Sequence, residues 1–365
     1  MQQKITLIVH KPFVTFHWGK AVFAGFERVK ERYGIAIKLI ESADDIAGVR
    51  YNGYAFLLGV DSKWIDSVIE RISNPSLHVV VLFGETVKYK SDVSSVNFDQ
   101  RSMIIKAIEM LRKKRRYKTA FFGVQENDTS DADKASAFAF QSSTDNIYPT
   151  KGDIEECFTR FYGRISEYDS VICANDIIAV YLCKRCRECG IDIPGQLHVI
   201  GNGGLWIANN VSPRLTTVVY DLESMTDIAI SAINGIVRVA NVSTFSIKIK
   251  MRIIDRESTR GVYKQESYDD FDYPQYRILY SDNGEITDEN INKIKNIDSA
   301  FSAFSDIDRR IVRELVDVGR YEDIAGRLFM TVDTIRYHIK KIYKALDVHS
   351  AEELRNIIDS YQIKI

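Results

Sequence analysis

The residues from Arg336 to Lys344 combine positive charge with planar and aromatic side chains. The stretch contains Arg336, Tyr337, Lys340, Lys341 and Lys344, and no acidic residue lies between the first and the last of them. A guanidinium can donate two hydrogen bonds to a base edge in the acceptor-rich major groove of DNA, and lysine ammonium groups can pair with phosphates. These residue types therefore indicate nucleic acid as a binding partner.

The element that must position these residues is an amphipathic helix over TVDTIRYHIKKIYKALDV, residues 331–348. Its apolar residues follow the i, i+4, i+7, i+11 spacing of a buried stripe. They are Ile335, Ile339, Ile342 and Leu346. Without its neighbours, this segment is better explained as an ordinary amphipathic helix with a solvated cationic face.

The residues upstream change that interpretation. Ile307, Ile311 and Leu315 repeat every four residues and predict one helix, and residues 321–329 predict a second, shorter one. Only a tight turn separates the second helix from Thr331, a suitable N-cap for the cationic helix. Helix, helix, tight turn and cationic helix is the arrangement of a helix-turn-helix unit.

These motifs resemble the LuxR-type DNA-binding domain. FSDIDRRIVRELV is similar to its opening helix, and DIAGRLFMTVDTIRYHIKKIYKALDV is similar to its helix-turn-helix core. The resemblance implies that bases are read by Arg336, Tyr337 and Lys340, and that phosphates are held by Thr334 and Lys341. Tyr337 departs from the family, which usually has a small apolar residue there, so it bears on which DNA sequence is read.

The composition of the whole chain limits the other classes of protein. The chain has 365 residues, enough for two or three domains, and 49 Lys and Arg against 50 Asp and Glu mean that nucleic-acid binding must come from a local patch. No apolar run approaches the roughly 20 residues of a membrane span, and the N-terminus lacks a secretory signal pattern. Five clustered cysteines fit a reducing compartment. We therefore expect a cytoplasmic protein.

Short apolar runs alternate with helical segments before residue 265. The runs are nearly continuous rather than alternating, as in a parallel sheet covered on both faces. They are ITLIV, IAIKLI, YAFLLGV, HVVVLF, TAFFGV, SVICAN and LHVIGN. The predicted fold class is α/β with parallel sheets, followed by a C-terminal all-α helix-turn-helix domain.

Residues 4–264 resemble the ligand-binding domain of the lactose-repressor and ribose-binding-protein group, a periplasmic-binding-protein-like domain of type I. The similarity is carried by KITLIVHKPFVTFHWGKAVFAGFERVKERYG, by VNFDQRSMIIKAIEML and by VICANDIIAVYLCKRCRECGIDIPGQLHVIGN. It implies two Rossmann-like lobes joined by three crossovers, with a small ligand, usually a sugar, held between them.

The resemblance also implies ligand-binding positions in the first loop and at the carboxyl ends of strands. They are Phe16, Trp18, Asn175, Asp176, Asn202 and Tyr220. The amide of Asn175 and the carboxylate of Asp176 can hold hydroxyls in bidentate fashion, and an aromatic at Phe16 or Trp18 can stack on a sugar face. Packing at a helix start explains those two aromatics equally well.

Two charged groups of that family are missing. Its aspartate pair is replaced by Asn202, Gly203 and Gly204, and the nearest cation to its ligand-binding arginine is Lys134. Because these charge-assisted hydrogen bonds are lost, we expect a larger or flatter sugar-type ligand, such as an oligosaccharide or glycoside, rather than a free hexose.

Three other features are weaker indications. Cys183, Cys186 and Cys189 have the spacing of part of an iron–sulfur site, but no fourth ligand is near in sequence, so structural cysteines and no metal or cofactor are expected. RKKRRYK, residues 112–118, could bind phosphates, although a solvated helix C-terminus explains it better. No nucleophile–base pairing or phosphate-binding loop indicates an enzyme.

Residues 265–303 belong to neither resemblance and form a predicted connector. YRILYSDNGEIT alternates around Asn283–Gly284, which predicts a hairpin. Thr287 is the predicted N-cap of a helix that carries Ile291 and Phe301 on its apolar face.

The combined prediction is a ligand-responsive transcription regulator in three parts. They are a two-lobed sensor at 1–264, a connector at 265–303 and a LuxR-type helix-turn-helix domain at 304–365. We expect a homodimer that binds a two-half-site DNA operator and a small-molecule effector, without membrane association. The alternative is a protein-interaction adaptor whose lobes are a ligand-blind dimer scaffold. Binding that weakens steeply with salt would distinguish DNA from a protein partner.

Overall fold

The computed structural model describes residues 4–15, 17–59, 61–83, 93–125, 129–236, 242–260, 288–317 and 320–365. These residues form two compact units. Unit 1 contains the residues up to 103 and residues 220–251, and unit 2 contains residues 104–219, 252–260 and 288–365. The described chain passes from one unit to the other at 103–104, 219–220 and 251–252. Three passes agree with the crossovers that the two-lobe resemblance implies.

Unit 1 is built on one parallel sheet. Its strands are β1 (Ile5–His10), β2 (Ile35–Ile40), β3 (Gly53–Leu58), β4 (Leu77–Leu82), β5 (Ser94–Phe98) and β11 (Ser246–Ile249). Its helices are α1 (His17–Tyr33), α2 (Ser62–Ile72) and α8 (Leu222–Ile236). The strand order is β11-β5-β4-β3-β1-β2, and all the described neighbours are parallel.

The sheet of unit 2 has one antiparallel edge strand. Its strands are β6 (Thr119–Val124), β7 (Ile147–Pro149), β8 (Ser170–Cys173), β9 (His198–Asn202), β10 (Thr216–Val219) and β12 (Arg252–Ile254), and its helices are α4 (Thr129–Gln141), α5 (Ile154–Tyr162), α6 (Asp176–Glu188) and α7 (Trp206–Asn210). Helix α3 (Gln100–Lys113) leads into β6. The order is β12-β10-β9-β8-β6-β7, in which only β12 runs antiparallel to its described neighbour. The predicted parallel α/β fold is confirmed, with β12 as the exception.

Five helices follow and pack on the lobe of unit 2. They are α9 (Glu289–Ala303), α10 (Asp306–Asp317), α11 (Tyr321–Leu328), α12 (Val332–Leu346) and α13 (Ala351–Tyr361). One continuous hydrophobic core runs from Phe158 and Cys183 in the lobe to Ile335 and Leu354 in the C-terminal helices. The helical segment therefore shares its core with the lobe.

The α9 helix joins the two parts of that core. The ring of Phe301 stacks on the ring of Trp206 with centroids 5.0 Å apart and an angle of 10° between the planes. The Asp298 carboxylate accepts a hydrogen bond from the backbone N–H of Ile207 at 2.8 Å. An aromatic stack and a buried hydrogen bond thus fix α9 against α7.

A second attachment lies beyond α13. The backbone N–H of Lys364 donates to the carbonyl oxygen of Asn210 at 2.7 Å, and the Arg187 guanidinium donates to the carbonyl oxygen of Ser360 at 2.6 Å. The helical segment is therefore held to the lobe at both of its ends.

The start of α9 differs from the prediction by one residue. Its N-cap is Asp288 rather than Thr287, because the Asp288 carboxylate accepts from the backbone N–H groups of Asn290 and Ile291 at 2.9 and 3.3 Å. Thr287 and the predicted hairpin at Asn283–Gly284 lie outside the described residues.

Replacing Phe301 by Ala is expected to lower the free energy of unfolding by about 3–5 kcal/mol, because the side chain is fully buried and its loss leaves a cavity between α9 and α7. Urea unfolding followed by circular dichroism measures the change. Phe140→Ala is the matched control, since that ring is 72% exposed, and it should shift stability by no more than about 0.5 kcal/mol. Equal losses in the two variants would contradict the role given to Phe301.

Candidate functional site

The α12 helix has the N-cap and the buried face that the sequence predicts. The Thr331 hydroxyl oxygen accepts a hydrogen bond from the backbone N–H of Thr334 at 3.2 Å, and the two hydroxyls lie 2.8 Å apart. All four residues of the predicted apolar stripe, Ile335 among them, are buried. The turn from Phe329 to Thr331 separates α11 from α12, so the predicted helix-turn-helix order is confirmed.

The opposite face of α12 presents the three predicted base-reading residues to solvent. The Arg336 side chain is 59% exposed, Tyr337 is 68% exposed, and Lys340 is exposed one turn later. Arg336 pairs with Asp333 at 3.1 Å. Because an exposed ion pair of this kind contributes little, the guanidinium can exchange it for an acceptor on a ligand.

Lys341 is held by a buried carboxylate. Its Nζ lies 2.6 Å from Asp308 Oδ2, and His338 Nδ1 lies 2.7 Å from Asp308 Oδ1. The Ser305 hydroxyl donates to the same carboxylate at 2.6 Å. The predicted phosphate role of Lys341 is not supported by this position, because its ammonium group already compensates a carboxylate that has no exposure to solvent.

Asp308 fixes the position of α12 on α10. Burial raises the pKa of its carboxyl, but the hydrogen bonds from Lys341, Ser305 and His338 outweigh burial and hold the pKa well below its ordinary value. A depressed pKa means that this carboxylate contributes stability above its ordinary pKa and loses that contribution as the pH falls through the acidic range. The role of Asp308 could not be predicted from the sequence, because an Asp in the first turn of a helix is ordinarily explained by the helix dipole.

Phe329 is an exposed aromatic that the sequence analysis did not single out. It is the C-cap of α11 with φ at 56°, and its side chain is 96% exposed. It lies two residues before the N-cap Thr331. A bulky residue in the left-handed region is strained, and an exposed ring gains little from burial, so neither local effect explains the residue. The indication in the sequence was an aromatic residue at the predicted end of a helix.

Asn175 and Asn202 lie at one edge of the unit 2 sheet. Asn175 directly follows β8, and Asn202 is the last residue of the neighbouring parallel strand β9. The Asn175 side-chain oxygen accepts from the backbone N–H of Ile178 at 3.0 Å and so caps α6. The carboxyl edge of a parallel sheet is where α/β proteins bind ligands. Asn175 is partly exposed at this edge, whereas Asn202 is 2% exposed, so their role in ligand binding stays a prediction.

The Asp176 carboxylate is used inside the protein. It has no exposure, its Oδ1 accepts from the Thr217 hydroxyl at 2.5 Å, and its Oδ2 accepts from the backbone N–H of Leu205 at 2.8 Å. A Cβ on Gly201 would lie 2.1 Å from Oδ1, so only glycine leaves room for the carboxylate there. The predicted hydroxyl-binding role of Asp176 is therefore not supported, and the residue holds the loop of residues 203–205.

The cation nearest to that edge is also engaged. Lys134 is 3% exposed, donates to the carbonyl oxygen of Ala174 at 2.8 Å and lies 2.6 Å from Asp131 Oδ1. A buried ion pair supplies no net charge for a ligand. Lys134 therefore does not replace the arginine of the resembling family.

In unit 1, Tyr220 is the predicted ligand residue whose side chain can be described. It is 8% exposed, its hydroxyl lies 3.2 Å from Gln100 Nε2, and its ring meets the Phe98 ring edge-on at 5.0 Å. Phe16 lies outside the described residues. The backbone of Trp18 belongs to α1, but its side chain is not among those described.

Two buried carboxyls link the carboxyl edge of unit 2 to α9. The loop that Asp176 holds leads into α7, whose Ile207 N–H donates to Asp298. Asp298 has no exposure, and its Oδ2 has no hydrogen-bond partner among the described residues. Burial raises the pKa of Asp298 to about 7. The Ile207 hydrogen bond opposes this shift, and the charge of Asp176 adds to it. Burial likewise raises the pKa of Asp176 to about 6 against its two hydrogen bonds.

The three cysteines of α6 and its end pack against the core. Cys183 and Cys186 are buried in it, and Cys189 is half-buried against it. Burial raises the pKa of Cys183 to about 12. This position favours the structural explanation of these cysteines.

Comparison with known proteins bears on the lobe that carries Asn175 and Asn202. The family described as "Periplasmic binding protein-like domain" matches residues 114–259. Residues 114–259 are thus similar to that family. Transcription regulator CcpA of Lactococcus lactis resembles it with a TM-score of 0.55 and 16% identity, covering 71% of this chain and 100% of that chain. The structure of the transcriptional regulator CelR in complex with cellobiose resembles this chain with a TM-score of 0.55 and 15% identity. The match covers 71% of this chain and 86% of that chain. At such identities the likeness concerns the fold alone.

Curated relatives match over shorter stretches. The HTH-type transcriptional regulator GalR of Escherichia coli K12 is 34% identical over 77 residues, which cover 21% of this chain and 22% of GalR. IdnR of the same organism is 26% identical over 134 residues, which cover 34% of this chain and 40% of IdnR. This chain thus spans well under half the length of either relative. Within the described residues, no helix is both long and apolar enough to cross a membrane.

The raised pKa of Asp298 predicts that stability falls as the pH rises from 5 to 8. The folded protein favours the neutral carboxyl, so its contribution is complete below the ordinary pKa and is lost as the pH rises through about 7. Asp298→Asn keeps an acceptor for the Ile207 N–H and removes the charge. The decrease in the free energy of unfolding between pH 5 and 8 should therefore be roughly 3 kcal/mol smaller in this variant than in the wild type.

Chemical unfolding at several pH values within that range measures the effect. Asp306→Asn is the control, because that side chain is 95% exposed on the neighbouring helix and its charge is not buried. The same pH slope in the wild type and in Asp298→Asn would show that Asp298 is not the titrating group.

Proposed function

We propose that this chain is a ligand-responsive, DNA-binding transcription regulator. The observation that carries the proposal is the surface of α12. A fully buried stripe fixes the helix, while Arg336, Tyr337 and Lys340 project from its exposed side at i, i+1 and i+4. A guanidinium, a phenol and an ammonium group on one helix face match the hydrogen-bond acceptors of base edges in the major groove.

The α10–α13 segment is proposed as a LuxR-type helix-turn-helix domain, with α12 as the recognition helix. The sequence motif and the order of helices support this assignment. In this arrangement the N-terminal half of α12 enters the groove, Arg336 and Tyr337 face base edges, and the Thr334 hydroxyl near the helix N-terminus contacts a phosphate. Lys341 stays with Asp308 and orients the helix.

A homodimer is the proposed DNA-binding form. One recognition helix from each copy would occupy one half-site of an operator, and half-sites one helical turn apart would bring both helices to the same face of DNA.

The proposed effector is a neutral, sugar-type molecule at the carboxyl edge of the unit 2 sheet. The related CelR structure is a cellobiose complex, and a CCPA regulator from Weissella paramesenteroides was solved with glucose. In this chain the charges of Lys134 and Asp176 are already satisfied inside the protein, whereas Asn175 supplies an uncharged, partly exposed amide. Uncharged donors and acceptors suit hydroxyl groups better than a charged ligand.

An effector at that edge has a direct connection to the helical segment. A shift of the loop that Asp176 holds would move α7, and α7 is bonded to α9 through Ile207 and Asp298. We propose that effector binding biases the position of α9, and with α9 the helix-turn-helix domain, between two arrangements.

The protein-interaction adaptor stays as a second candidate because of Phe329. A ring that is 96% exposed at a turn is typical of a protein contact. Salt dependence separates the two functions, since each phosphate contact adds roughly 0.9 to the slope of log affinity against log salt concentration.

Arg336→Ala is expected to weaken binding to a duplex selected from a random library by roughly 10- to 100-fold, because one bidentate base contact contributes about 1–3 kcal/mol. Binding to a mixed-sequence duplex should change much less. Fluorescence anisotropy at two or more salt concentrations measures both affinities.

Lys344→Ala is the matched control, because Lys344 is exposed on the same helix but lies outside the proposed base-reading set. It should weaken both duplexes to the same modest extent. If Arg336→Ala also weakens both duplexes equally, Arg336 does not read bases. If the wild type binds no duplex with a measurable salt slope, the proposed function is wrong.

A disaccharide such as cellobiose is expected to raise the melting temperature of the full chain more than glucose does, because a ligand that binds only the folded state stabilises it. Asn175→Ser should retain the cap of α6, since serine is also a good N-cap, while it removes the amide donor. The ligand-induced rise should then disappear although the ligand-free melting temperature is nearly unchanged. An undiminished rise in this variant would place the ligand elsewhere.

A further inference from the structure

Two arginine side chains of unit 2 converge on one carbonyl group. Arg116 donates from Nη2 to the Gly195 oxygen at 3.0 Å and from Nη1 to the Gln196 oxygen at 3.4 Å. Arg260 donates from Nη2 to the same Gly195 oxygen at 3.4 Å. Among the described residues, neither guanidinium forms an ion pair with a carboxylate. Two positive charges therefore lie close together at one carbonyl group.

This arrangement suits an oxyanion. Each guanidinium has five N–H donors and uses only one or two of them on the carbonyl groups of residues 195 and 196. Two neighbouring guanidiniums repel each other, and a phosphate-type anion removes that repulsion while it accepts charge-assisted hydrogen bonds from both.

Two of the nearby acids have partners of their own, and a third, Asp192, lies against Gly195. Asp255 pairs with Lys114 at 2.6 Å. The Asp169 carboxylate accepts from the backbone N–H groups of Tyr117 and Lys118 at 2.9 and 3.1 Å. Among the described residues, none of these three carboxylates forms an ion pair with Arg116 or Arg260.

A buried histidine lies beneath the same cations. His198 begins β9, is 2% exposed, and neither of its ring nitrogens has a hydrogen-bond partner among the described residues. Strand alternation puts its ring on the same face as Ile200, which packs in the core beneath α3, and α3 ends just before Lys114. Burial and then the charges of Arg116, Lys114 and Arg260 lower the pKa of His198 to about 4. The imidazole is therefore neutral at pH 7 and offers one donor and one acceptor.

We propose that Arg116 and Arg260 form a binding site for a phosphate-type oxyanion, with His198 and Lys114 as its inner wall. The sequence analysis favoured a solvated helix terminus for RKKRRYK. The contribution of Arg260, far away in the chain, is what changes that interpretation. The oxyanion can come from a phosphorylated small molecule or from the backbone of DNA. The proposal stands independently of the proposed function, because the geometry of the arginine pair alone carries it.

Inorganic phosphate is the first probe. Sodium phosphate is titrated against the full chain at constant ionic strength maintained with sodium chloride, and the melting temperature is recorded. A saturable rise is expected in the wild type. Arg116→Gln combined with Arg260→Gln should weaken the apparent affinity at least about tenfold, since a tenfold change corresponds to the loss of roughly one charge-assisted bond.

Two further variants make the result specific. Arg50→Gln removes an exposed arginine of unit 1 and should leave the phosphate response unchanged. Arg116→Lys combined with Arg260→Lys keeps the charge but removes the planar fork, so it should bind phosphate more weakly than the wild type even if the glutamine pair disturbs the fold.

A mixed-sequence duplex is the second probe and separates the two sources. If the double glutamine variant loses the phosphate response and its salt slope for DNA falls by about 1 to 2, DNA backbone occupies the site. If the phosphate response is lost and the slope stays the same, the ligand is a small phosphorylated molecule. A reduced slope alone also supports the site, with DNA as its occupant. Unchanged phosphate response together with an unchanged slope overturns the proposal.

Discussion

The hydrophobic core that the unit 2 lobe shares with the C-terminal helices through α9 is the interaction on which the rest of the arrangement depends. Apolar burial is non-directional, so it supplies most of the attraction but does not choose an orientation. The orientation is set by the Phe301–Trp206 stack and by the Asp298–Ile207 hydrogen bond, which have defined geometries. If this core were not shared, the exposed face of α12 would have no fixed relation to the edge that carries Asn175.

Buried carboxyls provide the directional contacts, and they do so in two opposite ways. Asp308 is surrounded by two basic side chains and a hydroxyl, so the charged form is favoured and α12 is fastened to α10. Asp176 and Asp298 receive only neutral donors, so burial favours the protonated form at the joint between α7 and α9. Helix α12 is therefore held by a charge-dependent contact, whereas the joint between α7 and α9 is most stable without charge.

Much of the fold could be predicted because it depends on local patterns. The seven continuous apolar runs became strands of parallel sheets, and the stripe of α12 became its buried face, since period and run length are properties of the sequence itself. The short antiparallel strand β12 could not be predicted in this way. Its residues are only partly buried, so they carry no continuous apolar run.

The candidate sites were less predictable, because the partners of a polar side chain are set by the tertiary fold. Lys341 and Asp176 have the residue types that phosphate and sugar binding need, yet each meets a residue distant in sequence, Asp308 and Thr217. The reverse holds for Arg116, whose significance appears only when Arg260 is placed beside it. Residue type limits the possible chemistry, and the fold decides which side chains remain available for it.

The shared core also determines where this chain can be divided. A cut near residue 304 follows the boundary of the proposed DNA-binding domain, but it divides one continuous core at Phe301 and Phe304. Apolar residues such as Ile339 would then lose part of the surface that covers them. An isolated C-terminal fragment would present that surface to water and tend to self-associate. A gene fusion that transplants the helix-turn-helix segment would consequently need α9 and a replacement for the α6–α7 surface. The helix-turn-helix motif of the sequence is therefore smaller than the hydrophobic core to which it belongs.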